Sequence, residues 1–182
     1  MLPVYRIACT VMAGGVVVGL DATMTNVALE TFLREFGTTL PTAQWIGTGY
    51  LLAVTAAIPA TGWTIERFGA RRMWLLAVGV FLAGSLLCAA AWSMGALIAA
   101  RVVQGAGGGM ILPLSQAIIA RAAGPERLGR VMAVLGVPAM LGPVLGPVAG
   151  GLLLDHAGWR WIFLLNLPIG IACLAITATK VR

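Results

Sequence analysis

Apolar residues dominate this chain in long runs, and the charges fall between the runs. Uncharged stretches occupy 36–65, 73–100, 102–120, 131–154 and 161–179, and a further apolar run begins at Ile7. Each is long enough for the roughly 20 residues that a membrane-spanning helix needs. Runs of this length imply helices rather than barrel strands. Spans are predicted at about 7–29, 43–64, 73–92, 94–120, 129–154 and 161–179. The first run, behind Arg6, has the outline of a signal peptide, but it has no clear small-residue cleavage site and more spans follow it. It is therefore read as helix one.

Composition agrees with a bilayer as solvent. Hydrophobic residues make up 60% of the chain, charged residues 10%, and the mean hydropathy is +0.97. A soluble domain with water-facing helices is not that apolar. Cys9, Cys88 and Cys173 sit singly in apolar runs and His156 is the one histidine, so neither a disulfide framework nor a metal site is suggested.

The formal charge of +6 and pI near 10.3 form no continuous basic stripe, which argues against nucleic acid. The charge is better read as topology. With the N-terminus inside, Arg6, Arg67, Arg71, Arg72, Arg121, Arg127, Arg130, Lys180 and Arg182 lie on the cytoplasmic side, against Arg34 and Arg160 outside. The positive-inside rule then predicts a multi-pass protein of the cell membrane with both termini cytoplasmic.

The loops contain an internal repeat. Gly62-x3-Glu66-x2-Gly69-x-Arg71, after span two, recurs as Gly151-x3-Asp155-x2-Gly158-x-Arg160, after span five. Three spans separate the copies, so the first faces the cytoplasm and the second the outside. Two three-helix units of inverted topology follow, at about 7–92 and 94–179, and inverted repeats are a transporter device.

Two charges fall inside spans, Asp21 in the first and Arg101 in the fourth. Either alone costs several kcal/mol at the bilayer centre, so each needs an interior partner. At about 1.5 Å per residue, they lie roughly 12 and 10 Å from the outer ends of their helices, and so at a common depth. A coupled carboxylate–guanidinium site is expected, the alternatives being a static ion pair or an Arg101 that only binds backbone carbonyls. Of the two, Asp21 is the proton-site candidate, because arginine stays charged. Thr25, Asn26, Gln44, Tyr50 and Gln116 are candidates for a substrate path, although most such groups in membrane bundles only join helices.

Span five carries Gly142, Pro143, Gly146, Pro147, Gly150 and Gly151. Glycines at spacing four make a face that admits another backbone closely, and prolines remove backbone donors. Gly105 and Gly109 in span four, and Gly15 and Gly19 in span one, repeat the pattern more weakly. No P-loop, nucleophile elbow, HExxH helix or GxGxxG turn is present, so neither enzyme chemistry nor a cofactor is predicted. Active transport would draw on an ion gradient or a partner.

These motifs resemble those of the major facilitator superfamily. Gly62, Glu66, Arg67, Gly69, Arg71 and Arg72 resemble its cytoplasmic loop motif, with Glu66 where the family usually has Asp. Arg101, Gln104 and Gly105 resemble the helix-four motif linked to proton coupling, and the span-five residues resemble the antiporter motif. Leu20-Asp21-x-Thr23-x2-Asn26-Val27-Ala28-Leu29 and Trp159-Arg160-Trp161-Ile162-Phe163-x2-Asn166-x-Pro168-x-Gly170 are similar to motifs of the fourteen-helix drug:proton antiporters of the EmrB/QacA type, from which Glu30 departs by standing where proline is usual.

The resemblance implies an all-α integral membrane fold in which residues 1–182 are the N-terminal six-helix bundle. It also implies a proton-coupled exporter of drug-like compounds whose partners are the lipid bilayer, a small-molecule substrate, protons, and a missing C-terminal half or second copy. A facilitator of another solute and a non-transporting structural bundle are the rival readings. Without a second bundle, Asp21, Arg101 and the polar groups near them are expected to face lipid.

Overall fold

The computed structural model describes the backbone of residues 2–180, and the side chains of these apart from 2–8, 125–128, 130, 132, 134–141, 179 and 180. The side chains of Arg6, Arg127, Arg130 and Lys180 of the topology argument, and all of Arg182, therefore lie outside the described residues.

Among the described residues eight helices follow one another: α1 (Leu2–Val27), α2 (Leu29–Phe36), α3 (Leu40–Phe68), α4 (Ala70–Ala89), α5 (Met94–Ala123), α6 (Pro125–His156), α7 (Arg160–Leu164) and α8 (Asn166–Lys180). The predicted spans correspond to α1, α3, α4, α5, α6, and α7 with α8. Among the described residues, Cys9–Val27, Ala70–Ala89, Met94–Ala123 and Arg160–Ala178 are long and apolar enough to cross a membrane. At 29 and 32 residues, α3 and α6 are also long enough. Gln44, Thr48, Thr55, Thr61 and Thr64 interrupt the apolar run of α3.

Two features depart from the predicted elements. Span one was expected to reach 29, but the helix breaks at Ala28 and continues as α2. This short helix is amphipathic: Phe32 is buried against Trp159 and Phe163, with ring centroids 5.4 and 6.5 Å away, while Glu30 and Arg34 pair on the exposed side. A hydropathy reading passes over it because its eight residues mix charge with apolar bulk. Span six divides at Leu165, between α7 and α8. Pro168 has no N–H to give the Leu164 carbonyl four residues back, which loosens the helix there.

Helix α5 lies along α3 and α4, while α1 lies along α6 and also meets α8. Exchanging the two three-helix units maps the α5–α3 pair onto α1–α6, and α5–α4 onto α1–α8. The turn glycines match as well: Gly69 has φ 84° and Gly158 φ 91°, a backbone region that costs residues with a Cβ.

Apolar side chains form two interior clusters. One holds Val17, Trp74, Phe81 and Ile111, the other Met24, Phe32, Ile46, Leu97 and Phe163. Outward, the bundle is equally apolar, with Leu51, Leu52, Leu86, Val144, Val148 and Ile171 exposed. The exposed tryptophans Trp45, Trp63, Trp92 and Trp161 lie near helix ends, where amphipathic rings meet lipid headgroups.

Candidate functional site

A polar layer separates the two apolar clusters. On α1, Asp21 lies between Val17 and Met24; on α4, Ser85 lies between Leu82 and Cys88. Helix α5 contributes Arg101 and Gln104, and Asn166 opens α8 just beyond Phe163. Four spans thus each place polar groups at one depth. Asp21, Ser85 and Gln104 are fully buried, Arg101 is 1% exposed and Asn166 2%.

Their hydrogen bonds interlock. Arg101 Nη1 donates to Asp21 Oδ2 at 2.5 Å and to Gln104 Oε1 at 2.6 Å, while its Nε donates to the Ile46 carbonyl at 3.4 Å. The other carboxylate oxygen, Asp21 Oδ1, accepts from Gln104 Nε2 at 2.9 Å and from Asn166 Nδ2 at 2.7 Å. Both amides also donate to Ser85 Oγ, at 2.7 and 3.2 Å. The Tyr50 ring lies under the guanidinium, 4.0 Å from centroid to Cζ. A buried ion pair repays its desolvation only when its remaining polar atoms are also satisfied, and here both Asp21 oxygens and Arg101 Nη1 and Nε have partners.

Close helix approach makes the layer possible. A Cβ built on Gly84 would come within 2.5 Å of the Gln104 backbone, and one on Gly105 within 2.5 Å of the Tyr50 carbonyl oxygen. Glycine at these positions lets α5 sit close against α4 and α3, so that Gln104 and Arg101 reach their partners.

The predicted residues divide into those in the layer and those apart from it. Asp21, Arg101, Gln104 and Tyr50 are brought together. Thr25 is buried beside them, but its hydroxyl is donated to the Asp21 carbonyl at 2.7 Å. Asn26, Gln44 and Gln116 are exposed. The expectation that Asp21 and Arg101 face lipid in this chain alone is corrected: helices α1, α3, α4, α5 and α8 enclose the pair. Ser85 and Asn166 were not predicted as site residues. Their signal was present, Ser85 as a hydroxyl deep in the apolar run of α4 and Asn166 as the amide of span six.

The span-five glycines form a single face. Gly142, Gly146 and Gly150 are buried on α1, where a Cβ would overlap the Val16 carbonyl oxygen at Gly142 and Thr23 Oγ1 at Gly146, and would press tightly on Met24, 3.2 Å away, at Gly150. Pro143 packs by Gly19, whereas Gly151 and Pro147 lie outside that contact. In the loop motif, Arg71 donates to the Ala178 carbonyl at 2.6 Å, tying α4 to the end of α8. The Arg67 guanidinium lies 5.7 Å from the Trp63 and Phe68 ring centroids. Gly62, Glu66 and Arg72 are exposed, with open space around Gly62.

Comparison with known proteins places the chain. The Major Facilitator Superfamily model matches residues 11–182. The chain is 51% identical over 173 residues to the Multidrug resistance protein B homolog of Mycobacterium tuberculosis, covering 95% of this chain and 32% of that protein. It is 37% identical over 158 residues to the Multidrug export protein EmrB of Haemophilus influenzae, covering 87% and 31%. It thus spans about a third of the length of these relatives. In fold it is similar to the inward-open xylose transporter XylE from E. coli, with a TM-score of 0.86 at 17% identity, over 97% of this chain and 48% of that one. These matches concern transporters, not enzymes. The chain belongs to the major facilitator superfamily, its sequence matching about a third of an EmrB-type transporter.

Proposed function

We propose that this chain is the N-terminal bundle of a proton-coupled exporter of drug-like organic compounds in the cell membrane, with both termini cytoplasmic. The observation that carries the reading is the buried Asp21–Arg101 pair, held by groups from four spans. A membrane interior keeps such a pair at a cost, and intramembrane carboxylates mark proton paths. Asp21 takes and gives up the proton. When it is neutral, Arg101 keeps Gln104, the Ile46 carbonyl and the Tyr50 ring as partners, so the guanidinium is never left bare. The multidrug names of the relatives at 37–51% identity support drug-like substrates; the likeness to a sugar transporter speaks to fold alone.

Because the pair is sealed from solvent, proton exchange requires α1 to shift against α5 and α8. Transport then needs a second bundle, either a C-terminal half or a second copy, against which this one rocks. The span-five glycine face keeps α6 and α1 moving together.

The test is proton release from purified full-length protein in detergent on adding tetraphenylphosphonium, a lipophilic cation. Release that disappears in Asp21→Asn supports the reading. Unchanged release in that variant overturns it.

A further inference from the structure

Asn166 and Ser85 have no place in the coupling pair, yet both are buried, Asn166 bonded to Asp21 and Ser85 to the two amides that donate to it. Asn166 arrives from α8, with its Nδ2 donating to Asp21 Oδ1 at 2.7 Å and to Ser85 Oγ at 3.2 Å. Ser85, on α4, also receives the second amide, that of Gln104, at 2.7 Å. One hydroxyl oxygen therefore holds two amide groups with their N–H bonds turned onto a single carboxylate oxygen.

We propose that Asn166 and Ser85 are positioning residues that set the pH at which this transporter exchanges its proton. The inference rests on the proton-coupling reading above. An amide N–H favours the ionised carboxylate and offers nothing comparable to the protonated one at the same oxygen. Arg101 serves Oδ2, so the two amides are the donors to Oδ1, and Ser85 fixes the orientation of both. The titratable groups facing Asp21 and its partner are Arg101 from α5, Tyr50 from α3 and Cys88 from α4; the Asn166–Ser85 clamp is neutral and acts by donor geometry alone. It also ties α1 to α4 and α8, so its release is part of any movement that opens the carboxylate to water.

The experiment measures tetraphenylphosphonium-triggered proton release by full-length protein across pH, with Asp21→Asn as the zero. Asn166→Leu removes the donor at similar volume and should move the midpoint of the release profile upward by about one pH unit, the scale set by losing one hydrogen bond to a charged group. Ser85→Ala leaves the amides free to turn and should move it the same way by less; Ser85→Thr restores the hydroxyl and should bring the midpoint back. If Asn166→Leu does not fold, the Ser85 pair decides alone. An unchanged midpoint in both Asn166→Leu and Ser85→Ala, with Asp21→Asn silent, overturns the positioning role and leaves proton coupling standing. Release persisting in Asp21→Asn overturns both.

Discussion

The Arg101 guanidinium lies 4.0 Å above the Tyr50 ring, and the Tyr50 hydroxyl beyond it has no hydrogen-bond partner among the described residues. The ring is therefore the useful part of this side chain. A desolvated cation–π contact is worth about 2 kcal/mol, whereas a buried hydroxyl without a partner costs about 1–3 kcal/mol. Tyr50→Phe is expected to keep efflux and to raise the melting temperature in detergent, while Tyr50→Leu lowers both. Loss of efflux in Tyr50→Phe would show that the hydroxyl meets substrate or water in another conformation.

For Asp21→Asn, export driven by the proton gradient is expected to stop. The amide keeps the shape of the carboxylate but cannot titrate, and its NH2 group turns a donor toward donors. Arg101 is then left without its counter-charge, a loss of about 3–5 kcal/mol for a broken buried pair. Dye efflux normalised to protein in the membrane checks the first point, and thermal unfolding the second. Asp21→Glu should retain part of the activity.

Arg101→Lys should be poorly tolerated. Arg101 reaches Asp21 and Gln104 through Nη1 and the Ile46 carbonyl through Nε, and a lysine ammonium is a point donor that cannot span those positions. At least a tenfold loss of efflux is expected, corresponding to about 1.4 kcal/mol or more. Normal efflux with Lys would mean that Arg101 serves only as positive charge.

Leucine at Gly146 or Gly150 should damage transport more than leucine at Val144 or Val148. The glycines are buried on α1, while the valines are 67% and 62% exposed. Bulk forced into a packed contact costs about 1–3 kcal/mol, and bulk added at an exposed apolar face costs little. Equal efflux losses at all four positions would refute the assigned face.

Gly62 belongs to the loop motif but has open space around it. Gly62→Ala should leave the melting temperature of this bundle unchanged, in contrast to Gly84→Ala, whose Cβ would meet the Gln104 backbone at 2.5 Å. A destabilised Gly62→Ala would point to a contact made outside these residues.

Local sequence pattern determined the approximate spans through hydropathy, the turns at Gly69 and Gly158 and the glycine stripe of span five through glycine spacing, and the two intramembrane charges through charge placement. Each depends on how a residue interacts with lipid, water or its own backbone, which needs no knowledge of distant neighbours. Tertiary structure alone decided what surrounds Asp21. Arg101 is 80 positions away and Asn166 145, and whether they meet depends on the rotation and offset of each helix. Those are set by close contacts such as Gly84 on Gln104 and Gly142 on Val16, not by any local pattern. The same reason explains why Thr25 is turned to backbone, why α2 folds onto Trp159, and why the ion pair is enclosed within this bundle rather than facing lipid.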